Sequence, residues 1–303
     1  MTISQDQNSQ KSLSLLAAQR HLYSKAKTAH GFRFIGALLW LALSPFIVYF
    51  FPASKASIAI VSCLIFLFSE FIFEPFERAR INTASLIQEE FDVNLFEIPW
   101  NQVLAGSKNT VEITNSAARA YGPDLNGLSN WYDVSEDLPK NLQILICQRS
   151  NLVWDSRIRN HFGHILYFWA VLIGFSGLAL SFALNLSLSD YLLVFLIPSL
   201  SPMIGSYRWG LRHFDVASEK VTLENRFSQI WKKALDSKGK TVDADCRMIQ
   251  DCIFQLRRKE ALVPDWFYRL FRPDFQESMV AASSELSQEA KTKLLPPTTS
   301  NNA

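Results

Sequence analysis

The chain has 303 residues, 49% of them hydrophobic and 19% charged, and carries a net charge of +2. That charge is too small to argue for a nucleic-acid polymer as partner, and the four cysteines have neither zinc-finger nor exported-disulfide spacing, so a reduced compartment is expected. The apolar residues are gathered into two hairpins.

In chain order, residues 1–12 are rich in Ser, Gln and Asn and are expected to be disordered, and a helix over about Leu13–Lys27 completes an N-terminal segment, 1–31. An apolar run from Phe34 to Phe51 breaks at Pro52–Ser57 and resumes through Phe73, placing one hairpin at 32–75. A second hairpin, 163–206, runs from His164 to Ala183, breaks at Leu184–Asp190 and resumes to about Ser206. A bilayer core about 30 Å thick needs about 20 mostly apolar helical residues. An isolated strand cannot satisfy its backbone in lipid, so these are helices. The first span is not a signal peptide: over thirty residues of polar character precede it, and no A-x-A-like site follows.

Between the hairpins, over 76–162, Glu70, Glu74, Glu77 and Arg78 carry the helical pattern of span two onward to about Phe91, with a kink expected at Pro75. Pro99–Leu138 reads as loops with short elements. Helical periodicity returns at Leu138 and predicts one long helix to Ala183. In a C-terminal region, 207–282, the residues Leu223, Phe227, Ile230, Trp231 and Ala234 fall on one helix face, Ser237–Lys240 breaks it, and Ile249, Cys252, Ile253 and Leu256 mark a second helix. Pro264 opens a short aromatic helix around Trp266–Leu270, and 283–303, with Pro296 and Pro297, is expected to be a disordered tail. The predicted fold class is all-α: an integral membrane protein with four transmembrane helices in two hairpins and a helical cytoplasmic domain on stalk extensions of the spans.

Orientation follows from the basic residues. Of 30 Lys and Arg, only Lys55 falls in a short connecting loop; five lie up to Arg33, eight from Arg78 to Arg159 and sixteen after Tyr207. Positive-inside counting places both termini and the middle segment in the cytoplasm.

No enzyme motif is present, neither a phosphate-binding glycine loop nor a metalloprotease or hydrolase signature. His161 and His164 lack a carboxylate or thiol companion at metal spacing and read as interfacial. Asp243 and Asp245 suit a helix start. Glu70 and Glu74, at membrane depth on one side of span two, allow two readings: an acidic ring lining a pore mouth in a homo-oligomer, or carboxylates at the lipid interface. Gly174 and Gly177 suit close helix contact. The stretch Cys147–Arg159 carries Gln148, Asn151, Asp155 and Arg159 as a helical polar stripe, flanked by Arg149 and Arg157, with Trp154 as a stacking plane. Guanidinium groups bind phosphate in bidentate fashion and aromatic rings stack on bases, so Arg149, Asn151, Trp154, Asp155 and Arg159, with Arg257 and Trp266 as partners, form a candidate ligand site. The same stripe also fits a helix-packing face.

Three phrases together resemble a known family: Ile87-Gln-Glu-Glu-Phe-Asp-Val-Asn-Leu-Phe-Glu-Ile-Pro-Trp-Asn101 after span two, Cys147-Gln-Arg-Ser-Asn-Leu-Val-Trp-Asp155 before span three, and Gln250-Asp-Cys-Ile-Phe254 with Pro264-Asp-Trp-Phe-Tyr268 after span four. They are similar to the SMODS-associating four-transmembrane effectors of bacterial cyclic-oligonucleotide (CBASS) signalling, over about Leu13–Met279. The resemblance implies an anti-phage role in abortive infection. A cyclic oligonucleotide made on infection would lead the effector to permeabilise the bacterial inner membrane, with no enzyme activity and no cofactor. A constitutive channel or transporter, and a membrane-anchored scaffold that recruits a cytosolic partner, remain open alternatives.

Overall fold

The computed structural model describes residues 2–153, 156–259 and 261–294. Among them the α-helices are α1 (Ile3–Asp6), α2 (Gln10–Phe50), α3 (Lys55–Phe68), α4 (Glu74–Phe96), α5 (Gln102–Ala105), α6 (Val111–Tyr121), α7 (Lys140–Val153), α8 (Ser156–Ala183), α9 (Leu188–Tyr191), α10 (Ile197–Asp236), α11 (Asp243–Lys259) and α12 (Asp265–Leu294), with no strand. Four helical stretches are long and apolar enough to cross a membrane: Gln10–Phe50, Pro52–Phe96, Lys140–Ala183 and Leu188–Asp236. Their outer faces carry exposed Phe46, Phe71, Phe175 and Phe182. Apolar surface of this extent is rare on a soluble monomer and suits contact with lipid tails.

Each hairpin's second span contains one π turn, Ser69–Phe73 ahead of Pro75 and Leu192–Leu196 ahead of Pro198. Proline lacks an N–H and its ring crowds the carbonyl four residues back. A wider turn just before it lets the helix continue, so the irregularity expected at Pro75 takes the form of a π turn. Close packing of α8 on α10 depends on glycine. A Cβ on Gly163 would lie 2.8 Å from the Phe214 ring, and one on Gly210 would lie 3.2 Å from the Gly163 carbonyl. Gly174 and Gly177 face Met203 and the Cβ of Phe195 at ordinary contact distance, in keeping with packing inside the hairpin.

Outside the spans the helices build one core. Leu16 and Ala18 of α2, Ile87 and Phe91 of α4, Leu142 and Leu145 of α7, Phe227 and Trp231 of α10, and Ile249 and Ile253 of α11 are all buried in it. Burying a side chain of this kind contributes about 1.5–3 kcal/mol. From Ile81 onward α4 is buried on nearly every side, which makes it the central helix. A smaller cluster of Ile158, Phe162, Leu166, Trp209, Ala261, Val263 and Phe267 joins the core to the spans. Helices α4 and α10 thus begin among the spans and end in the core without a linker.

Two expectations are corrected, at the N-terminal residues and the C-terminal tail, and two helices are placed more closely. The N-terminal residues 1–12 are not disordered where described: Ile3 is buried, Gln7 Nε2 donates to Tyr132 O at 3.1 Å, and the Tyr132 N–H donates back to Gln7 Oε1 at 2.8 Å. The helix placed at Leu13–Lys27 is continuous with span one, starting at Gln10 behind a Ser9 cap. The short aromatic helix runs on as α12 to Leu294, so 283–294 of the expected disordered tail is helical. Leu286, Ala290 and Leu294, four apart, lay one stripe on the core, and Trp231 Nε1 donates to Glu289 Oε2 at 2.8 Å. The predicted single helix Leu138–Ala183 corresponds to the helical stretch Lys140–Ala183, described as α7 and α8 on either side of Trp154 and Asp155, which lie outside the described residues.

Candidate functional site

The polar side chains gather in two places along α4. The first is a buried network in the core. Asp92 accepts from Tyr132 Oη at 2.7 Å, from Arg257 Nη1 at 2.6 Å and from Gln250 Nε2 at 3.0 Å. Glu89, one helical turn earlier, accepts from Arg247 Nη2 and from Gln250 Nε2, both at 2.7 Å. Asn151 of α7 donates to Tyr132 Oη at 2.8 Å, and Gln148 Nε2 donates to Cys246 O at 2.8 Å. Arg247 also donates to Pro99 O and to Asp251, which accepts from Asn101. Three buried atoms of this network have no hydrogen-bond partner among the described residues: Arg257 Nη2, Arg247 Nε and Gln148 Oε1.

Burial dominates the electrostatics of this network. It pushes the Glu89 carboxyl up, against the opposing hydrogen bonds from Arg247 and Gln250. Burial and the neighbouring Asp92 charge lift Tyr132 well above the ordinary phenol value. Arg257 is disfavoured as a cation by burial, yet the adjacent Asp92 more than reverses this and its pKa rises. Burial also raises the Cys147 thiol and pushes Cys246 up to about 12, so neither is a thiolate nucleophile at neutral pH. No cluster of three or more His, Cys, Asp or Glu suited to a metal occurs among the described residues.

The second place is an ion-paired collar where the spans meet the core. Arg208 of α10 pairs with Glu70, and Arg212 with Glu74. Glu74 is also met by Arg78 at 2.8 Å, Arg208 at 3.8 Å and Arg33 at 4.0 Å. His30 Nδ1 lies 3.0 Å from Glu77 Oε2, Arg33 Nε lies 3.6 Å from Glu77 Oε1, and Arg33 Nη1 donates to Ser69 O at 3.3 Å. Trp209, between the two α10 arginines, meets the His30 ring in a tilted contact, 3.9 Å between ring centres. Glu70 and Glu74, the candidate pore-lining residues, are therefore joined to basic partners on other helices.

The structure brings some of the candidate ligand residues together and separates others. Asn151 and Arg257 share the buried network through Tyr132 and Asp92. Arg149 faces α10, 3.4 Å from Glu224. Arg159 is buried and donates to Ala261 O at 2.7 Å, holding the start of α8 to the segment before α12. Trp266 is exposed beside Phe267, in the aromatic cluster with Phe162. Trp154 and Asp155 lie outside the described residues. Sequence reasoning missed Glu89, Asp92, Tyr132 and Arg247. The available signal was a pair of acids, three apart, on a helix otherwise set with Ile87, Phe91 and Leu95.

A model of the SMODS-associating 4TM effector domain matches residues 1–286. The chain belongs to this family. It is accordingly a multi-pass membrane effector, with the four apolar helices as its spans. A Bacillus cereus (strain VD146) protein named as a probable CBASS effector molecule is 29% identical over 293 residues, covering 94% of this chain and 98% of that protein. No solved structure matches the chain. The three phrases that carry the family resemblance meet in space: Glu89 and Asp92 come from the first, Gln148 and Asn151 from the second and Gln250 from the third. The core network of this 4TM effector thus draws on all three phrases. An apolar groove of about 430 Å³ between α8 and α10, lined by Tyr167, Gly174, Phe175, Met203 and Tyr207, lies within the spans and offers little to a polar ligand.

Proposed function

We propose that this four-span effector acts in anti-phage defence by opening the bacterial inner membrane when a cyclic oligonucleotide binds its helical domain. The observation that carries this reading is continuity. Helix α4, which continues span two, and α10, which carries span four, run into the core where the network lies. A ligand that binds better to one arrangement of α4, α7 and α11 shifts the spans by that difference in affinity, with no linker to absorb it.

Phosphate suits the polar seam. Guanidinium N–H groups recognise phosphate oxygens, and Arg257 Nη2 and Arg247 Nε are buried donors that find no acceptor among the described residues. Sensing is assigned to this seam with Asn151 and Arg257 in it, and with Arg149, Arg159 and Trp266 standing further off. The act itself needs no catalysis: it is a change of packing among the spans, with copies of the chain assembling around the opening. Both termini and residues 76–162 face the cytoplasm in this reading, where the ligand is made.

The test is reconstitution in dye-loaded liposomes challenged with synthetic cyclic di- and trinucleotides. Leakage with one of them, and calorimetric binding weakened about tenfold or more by Arg149→Ala or Arg159→Ala, is the expected result, since a hydrogen bond to a charged group is worth about 1.5–3 kcal/mol. Equal binding by folded variants moves the pocket elsewhere. Topology is checked separately, by labelling introduced cysteines in intact cells: Ser57→Cys and Ser187→Cys should react from outside and Ser107→Cys should not.

A further inference from the structure

Resting on the reading of a signal-opened effector, we propose that the collar is an autoinhibitory latch: Arg208 and Arg212 of α10, held by Glu70 and Glu74, keep the spans closed, and the membrane opens when these pairs part. The collar joins three spans whose residues are far apart in sequence. Span one brings His30 and Arg33, span two brings Ser69, Glu70, Glu74 and Glu77, and span four brings Arg208 and Arg212. The α10 residues are the ones free to leave. If α10 withdraws, Glu74 keeps Arg78 on its own helix and Arg33 on α2, and Glu77 keeps His30 and Arg33.

The exchange leaves few charges stranded. Arg208 and Arg212 are partly solvent-exposed already, with side chains 44% and 31% accessible, and at a membrane edge the released guanidinium groups meet lipid phosphates. Glu70 alone loses the ion-pair partner the structure gives it, and it stands in the π turn at the end of span two. A carboxylate covered by Arg208 in the closed state and bare in the open one reconciles the two sequence readings of this residue. Force reaches the latch directly. Arg212 and the core residue Phe227 lie on the same helix, fifteen residues or about 22 Å apart. Trp209 leaves its tilted ring contact with His30 in the same movement.

The latch is tested on the full chain in dye-loaded liposomes. Without any nucleotide, Arg208→Glu and Glu70→Arg are each expected to leak about tenfold faster than wild type, the scale of a typical coupling between sites. The exchanged pair, Glu70→Arg with Arg208→Glu, is expected to be tight again. Arg208→Gln, which adds no new charge, decides the question if the reversals do not reach the bilayer. A fifth protein, Glu70→Cys with Arg208→Cys in a Cys63→Ser background, is joined by a short reducible thiol linker. It should stay closed to the nucleotides that open its parent and should open on reduction. Tight single variants at wild-type protein levels, or opening of the linked protein, overturn the latch. Leaking variants beside a wild type that answers no nucleotide remove the sensing reading and leave the latch. A responsive wild type with tight variants removes the latch alone.

Discussion

The network and the collar use the same chemistry, carboxylates against guanidinium groups along one helix, and differ in how the charges are shared. In the network Asp92 has Arg257 to itself, Glu89 shares Arg247 with Asp251, and neutral amides fill the remaining positions. Asp92 is fully buried and Arg257 nearly so, and water cannot replace either. In the collar three carboxylates are divided among four arginines and a histidine, several of them half-exposed, and Glu74 alone meets four arginines. Buried pairs with few alternative partners fix one arrangement. Shared, wetter pairs permit an exchange. The difference makes the network a fastening between helices and the collar the place where they can part.

The sharpest way to break that contrast is Arg257→Ala. It leaves Asp92 charged and buried without its cation, and removing one partner of a buried pair costs about 3–5 kcal/mol. Thermal unfolding in detergent should show a large loss of stability. Adding Asp92→Asn should recover part of it, because the two residues act as one unit. A loss under 1 kcal/mol for Arg257→Ala alone would make the network as redundant as the collar.

Gly163→Ala tests the lever between the two regions. Its new Cβ meets the Phe214 ring at 2.8 Å, where α8 crosses α10. Overpacking of this kind costs about 1–3 kcal/mol unless the neighbour moves. The expected outcome is reduced stability together with altered nucleotide-dependent leakage, since α10 carries Arg208 and Arg212 on the same rod. Lost stability with unchanged leakage would separate the crossing from the gate.

The spans were legible in the sequence because a bilayer demands about twenty apolar residues and the chain supplies them four times. The amphipathic cores of α10 and α11 were legible too, through Phe227, Trp231, Ile249 and Ile253 at helical spacing. The network was not. In sequence, Glu89 and Asp92 look like solvated acids. What makes them special is Arg257 and Gln250, some 160 residues on, and no local pattern reports a contact at that separation. Glu70 and Glu74 drew notice as charges at membrane depth, but Arg208 and Arg212 lay hidden in the general run of basic flanks. Residues 283–294 read as disordered because their composition is polar. The thin stripe of Leu286, Ala290 and Leu294 is enough to bind them once a core exists to receive it.

A smaller effect separates the regions by pH. Glu89 has its folded pKa raised, chiefly by burial, so the native state holds that proton more tightly than the unfolded chain does. Its contribution to stability is complete below the unfolded value and is lost as pH rises through the folded one. Titrating from neutral pH down toward about 4.3, the ordinary Glu value, should therefore stabilise wild type relative to Glu89→Gln. A flat difference between the two proteins would mean that Arg247 and Gln250 fully compensate the burial.

The smallest expected effect is the most telling for the collar. Arg78 is the cation on Glu74's own helix and its side chain is 59% accessible. Exposed pairs at this spacing contribute about 0.3–0.5 kcal/mol. Arg78→Ala should scarcely change the melting temperature, because Arg33, Arg208 and Arg212 still surround Glu74. The consequence for gating is larger than for stability. Without Arg78, Glu74 would depend more heavily on α10, so parting the latch would leave it less neutralised and the closed state should hold better. Dose–response curves for nucleotide-induced leakage should shift to higher nucleotide concentration with the fold intact. A shift to lower concentration would mean that Arg78 braces the closed state itself, and the exchange of partners at Glu74 would lose its physical basis.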